Sequence, residues 1–285
     1  MGTCTIYAQD TKLANQYYQS GEYEKAAATY LKLYKKNPIQ TTLFDNYIAC
    51  LIELEEYKKV GEEIKDQIKK YPNRTNNYVT YGNLLEKLDK PKEANQWYRK
   101  GIDEMPAEQS VISKVGSTFY RLGKYEMSLE AYLKGEQMLG RKKFPYETKI
   151  AEIYKKLDQP DKMVEYYINY AERASTRQVQ NVKANMKYWL KGDTSYLEEM
   201  KVQLYTRIQE HPDNIVFPEL LEWTFIEKED YKGALRQARA LDRQLGEDGQ
   251  RVLTIGDIAR KDNDIETAIK AVSYTHLTLP TICSV

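Results

Sequence analysis

Few side chains of this sequence could carry out catalysis. The chain has two histidines and three cysteines. His211 directly precedes a proline at a predicted helix end, which favours a capping role, and His276 lies in an atypical C-terminal segment. Cys50 stands alone in an apolar helical stretch, where a small buried side chain is expected, while Cys4 and Cys283 lie near the termini. Without metal-ligand spacing, a disulfide framework or a phosphate-binding loop, we expect no enzyme activity, metal or cofactor.

Side chains suited to binding are more numerous. There are 25 tyrosines, and asparagines recur along the predicted helices. An asparagine amide donates and accepts hydrogen bonds at once, which suits an extended peptide backbone. Tyrosine adds rigid contact area with a polar tip. These residue types indicate recognition of another molecule rather than its chemical conversion.

Charge limits the class of partner. The 43 basic and 42 acidic residues give a net charge of +1. Interspersed charges of both signs are typical of solvated helix faces and not of a nucleic-acid-binding surface. The one compact basic run, Arg141-Lys142-Lys143, follows Gly140 at a predicted helix end. The helix dipole favours cations at a helix C-terminus, which explains the run without a functional role. No apolar stretch has the length needed to span a membrane.

The elements that carry these residues repeat along the chain. A spacing of 34 residues separates the members of five sets: Tyr23, Tyr57, Pro91 and Tyr125; Pro38, Pro72 and Pro106; Gly82 and Gly116; Tyr98 and Tyr132; Ala234 and Ala268. A constant period in this range predicts stacked supersecondary units rather than one closed core. Each unit has two apolar stripes with helical spacing, separated by a turn such as Ser20-Gly21-Glu22 and ended by a proline.

The sizes of the recurring residues predict how the two helices of a unit pack. Small side chains recur where helix A and helix B approach closely, and large ones recur where the next layer must be filled. The helix A sites are Ala14, Ile48, Gly82, Gly116 and Ala151. The close-approach sites on helix B are Ala26, Val60, Ala94, Ser128 and Met163, and the large sites are Tyr30, Ile64, Tyr98, Tyr132 and Tyr167. At the close-approach sites Ile48, Val60 and Met163 loosen the fit.

These residues resemble the tetratricopeptide repeat (TPR) family. The matching sites are Tyr78, Tyr81, Gly82, Leu85, Ala94, Tyr98 and Pro106, and then Gly116, Phe119, Gly123, Tyr125, Tyr132 and Gly135. The resemblance implies an all-α, right-handed solenoid of seven to eight helix pairs, the sixth divergent and the last truncated. It places repeats one to five in residues 9–176 and two further TPR-like pairs in 215–271. The helical pair in 177–214 is a divergent repeat or an irregular spacer.

Both ends of the chain depart from the repeat pattern. Residues 1–8 end like a signal-peptide cleavage region, with Ile6 and Ala8 before Gln9, but lack an apolar core; a signal remnant and an ordinary terminal tail remain alternatives. Residues 272–285 contain no charged side chain and resemble the translation of a transposase adapter used in sequencing libraries. They are interpreted as a non-native tail on a bacterial, metagenomic fragment, so a chain ending at Ala271 is expected to be as stable as the whole. A genuine β-prone tail is the alternative.

The TPR resemblance also implies a binding surface, because helix A lines the concave side in that family. The residues that it places there are Asn15, Tyr18, Asn46, Asn76, Asn83, Ser117, Tyr120 and Arg121. Some family members clamp a chaperone's C-terminal carboxylate between two asparagines and basic residues. Asn15 and Asn46 match those asparagines, but Thr11, Asn76 and Thr80 replace the basic residues, which argues against such a clamp.

The sequence therefore predicts a non-enzymatic scaffold that binds a protein or peptide in its groove, in the periplasm or cell envelope of a bacterium. A cytoplasmic location is the alternative to the envelope. A carbohydrate- or nutrient-binding module is the second functional class, although most tyrosines occupy packing positions. A third hypothesis is the repeat appendage of a larger protein. No nucleic acid and no membrane span are expected.

Overall fold

Helices account for nearly all of the chain. The structure, a computed structural model, describes residues 2–140, 143–173, 176–190 and 195–278, and these contain sixteen α-helices and no strand. In chain order the helices are α1 Gly2–Gln19, α2 Tyr23–Lys36, α3 Thr41–Glu53, α4 Tyr57–Lys70, α5 Asn76–Lys87, α6 Pro91–Asp103, α7 Gln109–Arg121, α8 Tyr125–Leu139, α9 Glu147–Lys156, α10 Pro160–Arg173, α11 Thr176–Leu190, α12 Ser195–Glu210, α13 Val216–Glu227, α14 Tyr231–Leu245, α15 Gln250–Lys261 and α16 Ile265–Thr278.

In the described residues an odd-numbered helix A alternates with an even-numbered helix B, and in seven of the eight successive pairs the two helices pack against each other. This confirms the predicted all-α fold of TPR-type helical hairpins. In the segment predicted as a divergent pair, 177–214, the structure has α11 and α12, and each of them packs against α10 and α13. None of the described helices is both long and apolar enough to cross a membrane.

One residue in the left-handed conformation ends helix A in seven of the pairs. These residues are Gly21, Glu55, Asp89, Gly123, Asp158, Glu229 and Asn263, with φ between +56° and +77°. In each turn the next backbone N–H donates to a carbonyl five residues earlier, as Lys90 does to Leu85 at 2.9 Å. This is the Schellman arrangement, which satisfies carbonyls that the helix end leaves free. Helix B then begins at the recurring Tyr or Pro in the first four pairs, and at Pro160, Tyr231 and Ile265 in the other three.

Glycine allows the closest approach between helix A and helix B. Gly116 on α7 lies against Tyr132 of α8, and an added Cβ would be 2.4 Å from the Tyr132 ring. The Ser128 hydroxyl donates to the Gly116 carbonyl at 2.8 Å. Tyr132 and Ser128 are buried. The predicted roles of these small and large sites are therefore confirmed for this hairpin.

The chain divides into two compact units, Met1–Lys142 and Lys143–Val285. The first unit contains the pairs α1/α2 to α7/α8, and the second contains α9/α10 to α15/α16. The division falls inside the predicted segment 9–176, between its fourth and fifth pairs. The repeat pattern did not predict it, since the register continues across this point.

Three predicted features lie outside the residues whose side chains the structure describes. They are the signal-like segment 1–8, the pair Arg141-Lys142 and the final part of the tail, 276–285. The interpretation of each remains a prediction.

The first part of the atypical C-terminal segment continues helix α16. The Tyr274 hydroxyl donates to Oδ2 of Asp242 at 2.9 Å, and Asp242 is 3% exposed. Oδ1 of Asp242 accepts the Gly249 N–H at 2.8 Å. The guanidinium of Arg239 lies 5.1 Å from the centre of the Tyr274 ring. These contacts join a residue of the segment interpreted as non-native to the buried side of α14.

We expect Tyr274→Phe to lower the free energy of unfolding by about 2 kcal/mol, because the buried Asp242 carboxylate loses one donor. Urea unfolding of the full chain measures this. Ser273→Ala is the matched control, since the Ser273 hydroxyl bonds only the Ile269 carbonyl on an exposed surface. If Tyr274→Phe has no effect, the contact contributes nothing, and the expectation that a chain ending at Ala271 keeps full stability gains support.

Candidate partner-binding groove

Two neighbouring clefts lie among the A helices of the first unit. The first, here called the polar cleft, has a volume of about 350 Å³. Its lining consists of Asn15, Tyr18, Gln19, Tyr30, Asn46, Ala49 and Arg121. These residues come from α1, α2, α3 and α7, so the cleft draws on helices from three of the four pairs.

The second, here called the apolar cleft, has a volume of about 200 Å³. Its lining consists of Asp45, Ile48, Ala49, Ile52, Thr80, Asn83, Thr118, Arg121 and Leu122. Ala49 and Arg121 line both clefts. The two therefore meet at a common boundary formed by α3 and the last turn of α7, and together they are called the groove below.

Two of the groove asparagines directly follow a packed residue of their A helix. Asn15 follows the fully buried Ala14, and Asn83 follows Gly82, which lies against Tyr98. Neighbouring residues of a helix point about 100° apart, so burying one member of each pair turns the next one toward the groove. The repeat spacing that determines how the two helices of a hairpin pack therefore also determines the direction of these asparagine side chains.

A buried tyrosine orients the first of these amides. The Tyr30 hydroxyl donates to Oδ1 of Asn15 at 2.6 Å. Burial raises the pKa of Tyr30, against a smaller lowering by a hydrogen bond from Asn46, so the hydroxyl keeps its proton at neutral pH. Because the bond uses the carbonyl oxygen of Asn15, the NH₂ group is the part that a ligand can meet.

An ion pair joins two A helices that belong to the second and fourth hairpins. Lys114 on α7 pairs with Asp45 on α3, and Nζ of Lys114 lies 3.5 Å from the Thr41 hydroxyl. The two charged side chains are only 25% and 21% exposed. The pair holds α7 beside α3 at one end of the groove, and it neutralises the carboxylate that lines the apolar cleft.

Of the eight predicted groove residues, five line a cleft. Asn15, Tyr18, Asn46 and Arg121 meet in the polar cleft, while Asn83 and Arg121 meet in the apolar one. The structure thus brings these side chains together. Their role in binding remains a prediction.

Two further predicted residues are partly buried near the clefts without lining them. The Ser117 hydroxyl donates to the Lys114 carbonyl at 3.2 Å. The Tyr120 ring packs edge-on against Tyr125 across the turn, with centroids 5.4 Å apart, just as Tyr18 packs against Tyr23. These tyrosines stabilise equivalent turns of the fourth and first hairpins.

Asn76 requires a correction. It was predicted to face the groove, but it is 5% exposed and its amide nitrogen lies 3.5 Å from Oδ1 of Asn77. The neighbouring residues Thr75 and Asn77 are buried as well, so the whole first turn of α5 is covered. A side chain in this position cannot line an open groove.

The sequence did not single out the remaining cleft residues. Tyr30 was assigned to packing, which is correct, since it is 2% exposed, but its hydroxyl also reaches the polar cleft. Ile52 and Leu122 lie near the ends of their helices, where the repeat pattern carries the least information. Leu122 directly follows the predicted residue Arg121, which is the signal that could have found it, whereas no signal marked Ile52.

The second unit has a cluster of charged residues on α11, α13 and α15 and in the connection between α14 and α15. Arg251 of α15 lies 3.2 Å from Glu219 and 3.3 Å from Glu222, both on α13, and 2.9 Å from Glu247. Burial raises the pKa of Glu222, and the charge of Arg251 opposes that shift. Burial lowers the pKa of Lys183 on α11, against the carboxylates of Glu219 and Glu222. A cleft of about 490 Å³ borders Glu222, Glu247 and Arg251.

Catalytic features are scarce in the part of the chain that the structure describes. No group of three or more metal-binding side chains occurs there. Cys50 is buried, as predicted, and burial raises the pKa of its thiol to about 11, which keeps it protonated. His211 follows the last residue of α12, and its backbone N–H donates to the Arg207 carbonyl at 2.9 Å, in agreement with the predicted position at a helix end.

Comparison with known proteins gives only distant likenesses. No protein-family model matches the chain, and no curated protein matches it. Among solved structures, the thermophilic TPR protein TTC0263 of Thermus thermophilus is similar at 15% identity, covering 65% of this chain and 98% of that one, with a TM-score of 0.37. The C-terminal part of a TPR repeat-containing protein of Cytophaga hutchinsonii is similar at 16% identity, covering 82% and 94%, with a TM-score of 0.32.

A third similar structure is Naa15/Naa10 bound to HypK-THB, at 14% identity, covering 95% of this chain and 42% of that one, with a TM-score of 0.34. Likenesses this low say nothing about what the chain binds.

Proposed function

We propose that the chain is a non-enzymatic scaffold that binds an extended segment of a partner protein in the groove of its first unit. One observation carries the proposal: the Asn15 amide, held by Tyr30, lies in a polar cleft that adjoins an apolar cleft containing Asn83. Amides supply hydrogen bonds to a peptide backbone, and an adjacent apolar cleft accepts a side chain. An extended peptide uses both the backbone hydrogen bonds and the cleft for a side chain.

The carbohydrate-binding alternative has less support. Sugar rings stack on exposed aromatic faces, but Tyr30 is buried, and Tyr18 is the one tyrosine of the polar cleft that is partly exposed. We also propose that the protein works in the bacterial cell envelope, on the basis of the sequence pattern of residues 1–8. Fractionation of cells that express the full gene tests the location.

The groove assignment is tested with peptides selected for binding to the whole chain. Peptides enriched from a random displayed library are expected to bind the Asn46→Ala, Asn83→Ala double variant at least about tenfold more weakly, which corresponds to about 1.4 kcal/mol. Fluorescence anisotropy measures the affinities.

The control is the double variant Asn95→Ala, Asn181→Ala. It removes two exposed amides, on α6 and α11, that line neither cleft. Equal affinity for both double variants would show that the selected peptides bind elsewhere.

A further inference from the structure

Arg121 is the cation at the boundary between the two clefts. It is the last residue of α7, it is exposed, and it lines both the polar and the apolar cleft. Its Nη2 lies 3.4 Å from the Thr118 hydroxyl. No carboxylate in the described part of the chain forms an ion pair with it, although twenty-one ion pairs occur there. A guanidinium with five donors and one weak internal contact can accept an anionic ligand group.

The nearby carboxylates do not neutralise Arg121. Asp45 in the apolar cleft is already paired with Lys114. Glu53, the last residue of α3, lines neither cleft, and its charge raises the pKa of Tyr18 after the larger effect of burial. The surroundings therefore leave one positive charge at the centre of the groove, between amide groups on one side and aliphatic groups on the other.

We infer that the partner segment carries an acidic side chain that binds Arg121, next to an aliphatic side chain that enters the apolar cleft beside Ile48, Ile52 and Leu122. This inference rests on the proposed function and specifies the partner's chemistry. The carboxylate belongs to a side chain and not to a chain end, because a peptide that fills both clefts continues past Arg121 in both directions. A guanidinium and a carboxylate can form two parallel hydrogen bonds, so binding at this site depends on the orientation of the acidic group as well as on its charge.

Four short fluorescein-labelled peptides test the inference by anisotropy against the full chain. The first is acetylated and amidated and alternates Glu with Leu. The second replaces each Glu with Gln, and the third replaces each Leu with Ser. The fourth is the Gln peptide with a free C-terminal carboxylate. The first is expected to bind at least about tenfold more tightly than the second and third, and to weaken as salt is raised from about 50 mM to about 500 mM.

Variants of Arg121 identify the contact. Arg121→Gln is expected to weaken the Glu-Leu peptide at least about tenfold and to leave the affinity of the Gln peptide unchanged. Arg121→Lys is expected to recover part of the loss, since it keeps the charge without the planar pair of donors. The matched control is Arg236→Gln, which removes an exposed arginine from α14 in the second unit. Thermal melts confirm that each variant folds.

Each other outcome would overturn the inference. If Glu and Gln peptides bind equally, or if Arg121→Gln changes nothing, Arg121 does not recognise an acid. If only the free-carboxylate peptide depends on Arg121, the ligand is a chain end. If no peptide binds, the acidic-aliphatic motif is wrong. The proposed function fails separately, only if library peptides are also insensitive to Asn46→Ala with Asn83→Ala.

Discussion

Replacing Gly82 with leucine is expected to lower the free energy of unfolding by about 3 kcal/mol. A Cβ at this position would lie 2.5 Å from Cε1 of Tyr98 and 3.0 Å from the Ala94 carbonyl oxygen. The Tyr98 ring cannot move aside, because it is 1% exposed and packs edge-on against Phe119 with centroids 5.6 Å apart. The added side chain must therefore push α5 away from α6.

Gly61→Ala is the matched control for this substitution. Gly61 lies inside α4, and an added Cβ there would make an ordinary contact of 3.4 Å with Leu84. We expect Gly61→Ala to stabilise the chain by up to about 1 kcal/mol, since alanine loses less backbone freedom than glycine when a helix forms. Both variants are measured by urea and thermal unfolding. An unchanged melting curve for Gly82→Leu would contradict the close approach of α5 and α6.

Replacing Arg251 with methionine is expected to lower the stability of the second unit by about 3 kcal/mol at neutral pH. Arg251 is the cation that pairs with Glu219, Glu222 and Glu247, and Glu222 is only 12% exposed. Without the guanidinium, the Glu222 carboxylate is buried without an ion-pair partner. Methionine keeps much of the packing of the aliphatic part of the arginine side chain. The drop in the free energy of unfolding therefore measures the effect of removing the charge.

The loss should depend on pH in a defined direction. The pKa of Glu222 is raised in the folded chain, and removing Arg251 raises it further. Between the unfolded and the folded pKa, the native state binds more protons than the unfolded state, so stability falls as pH rises through this window. The deficit of the Arg251→Met variant should therefore be smaller near pH 4.5, close to the ordinary glutamate pKa, than near pH 7.

Urea unfolding at several pH values measures this dependence. Arg236→Met is the control, and it should show a small effect without this pH trend. Adding Glu222→Gln to Arg251→Met should restore part of the stability at neutral pH, because a neutral amide replaces the buried charge. A deficit that is the same at every pH would show that Arg251 acts through packing alone.

The repeat pattern predicted the hairpins because each one depends on local rules. Small residues at Gly82 and Gly116, and a turn before Tyr57 or Tyr125, act over fewer than 34 residues, and they recur often enough to be recognised. Asn15, Asn46 and Asn83, which the TPR resemblance predicted for the groove, line the two clefts, and their role in binding remains a prediction.

Side-chain contacts between different repeats could not be predicted in this way. The Lys114–Asp45 pair joins residues that are 69 positions apart, and the Arg251 cluster joins residues of the seventh and eighth pairs. Neither group of residues recurs with the 34-residue spacing, so no sequence pattern indicates these contacts. Asn76 failed for a related reason: its repeat position is exposed at Thr42 and Ser110, but the first turn of α5 is locally covered.

The left-handed residue that ends helix A in seven of the pairs has a consequence for where single substitutions can be made. Glu55, Asp89, Asp158, Glu229 and Asn263 hold a conformation that glycine adopts freely in the other turns. Each is an independent point of slight strain, and none of the five lines either cleft of the first unit. Replacing any of these five residues with glycine should therefore relieve local backbone strain without changing a side chain that lines a cleft.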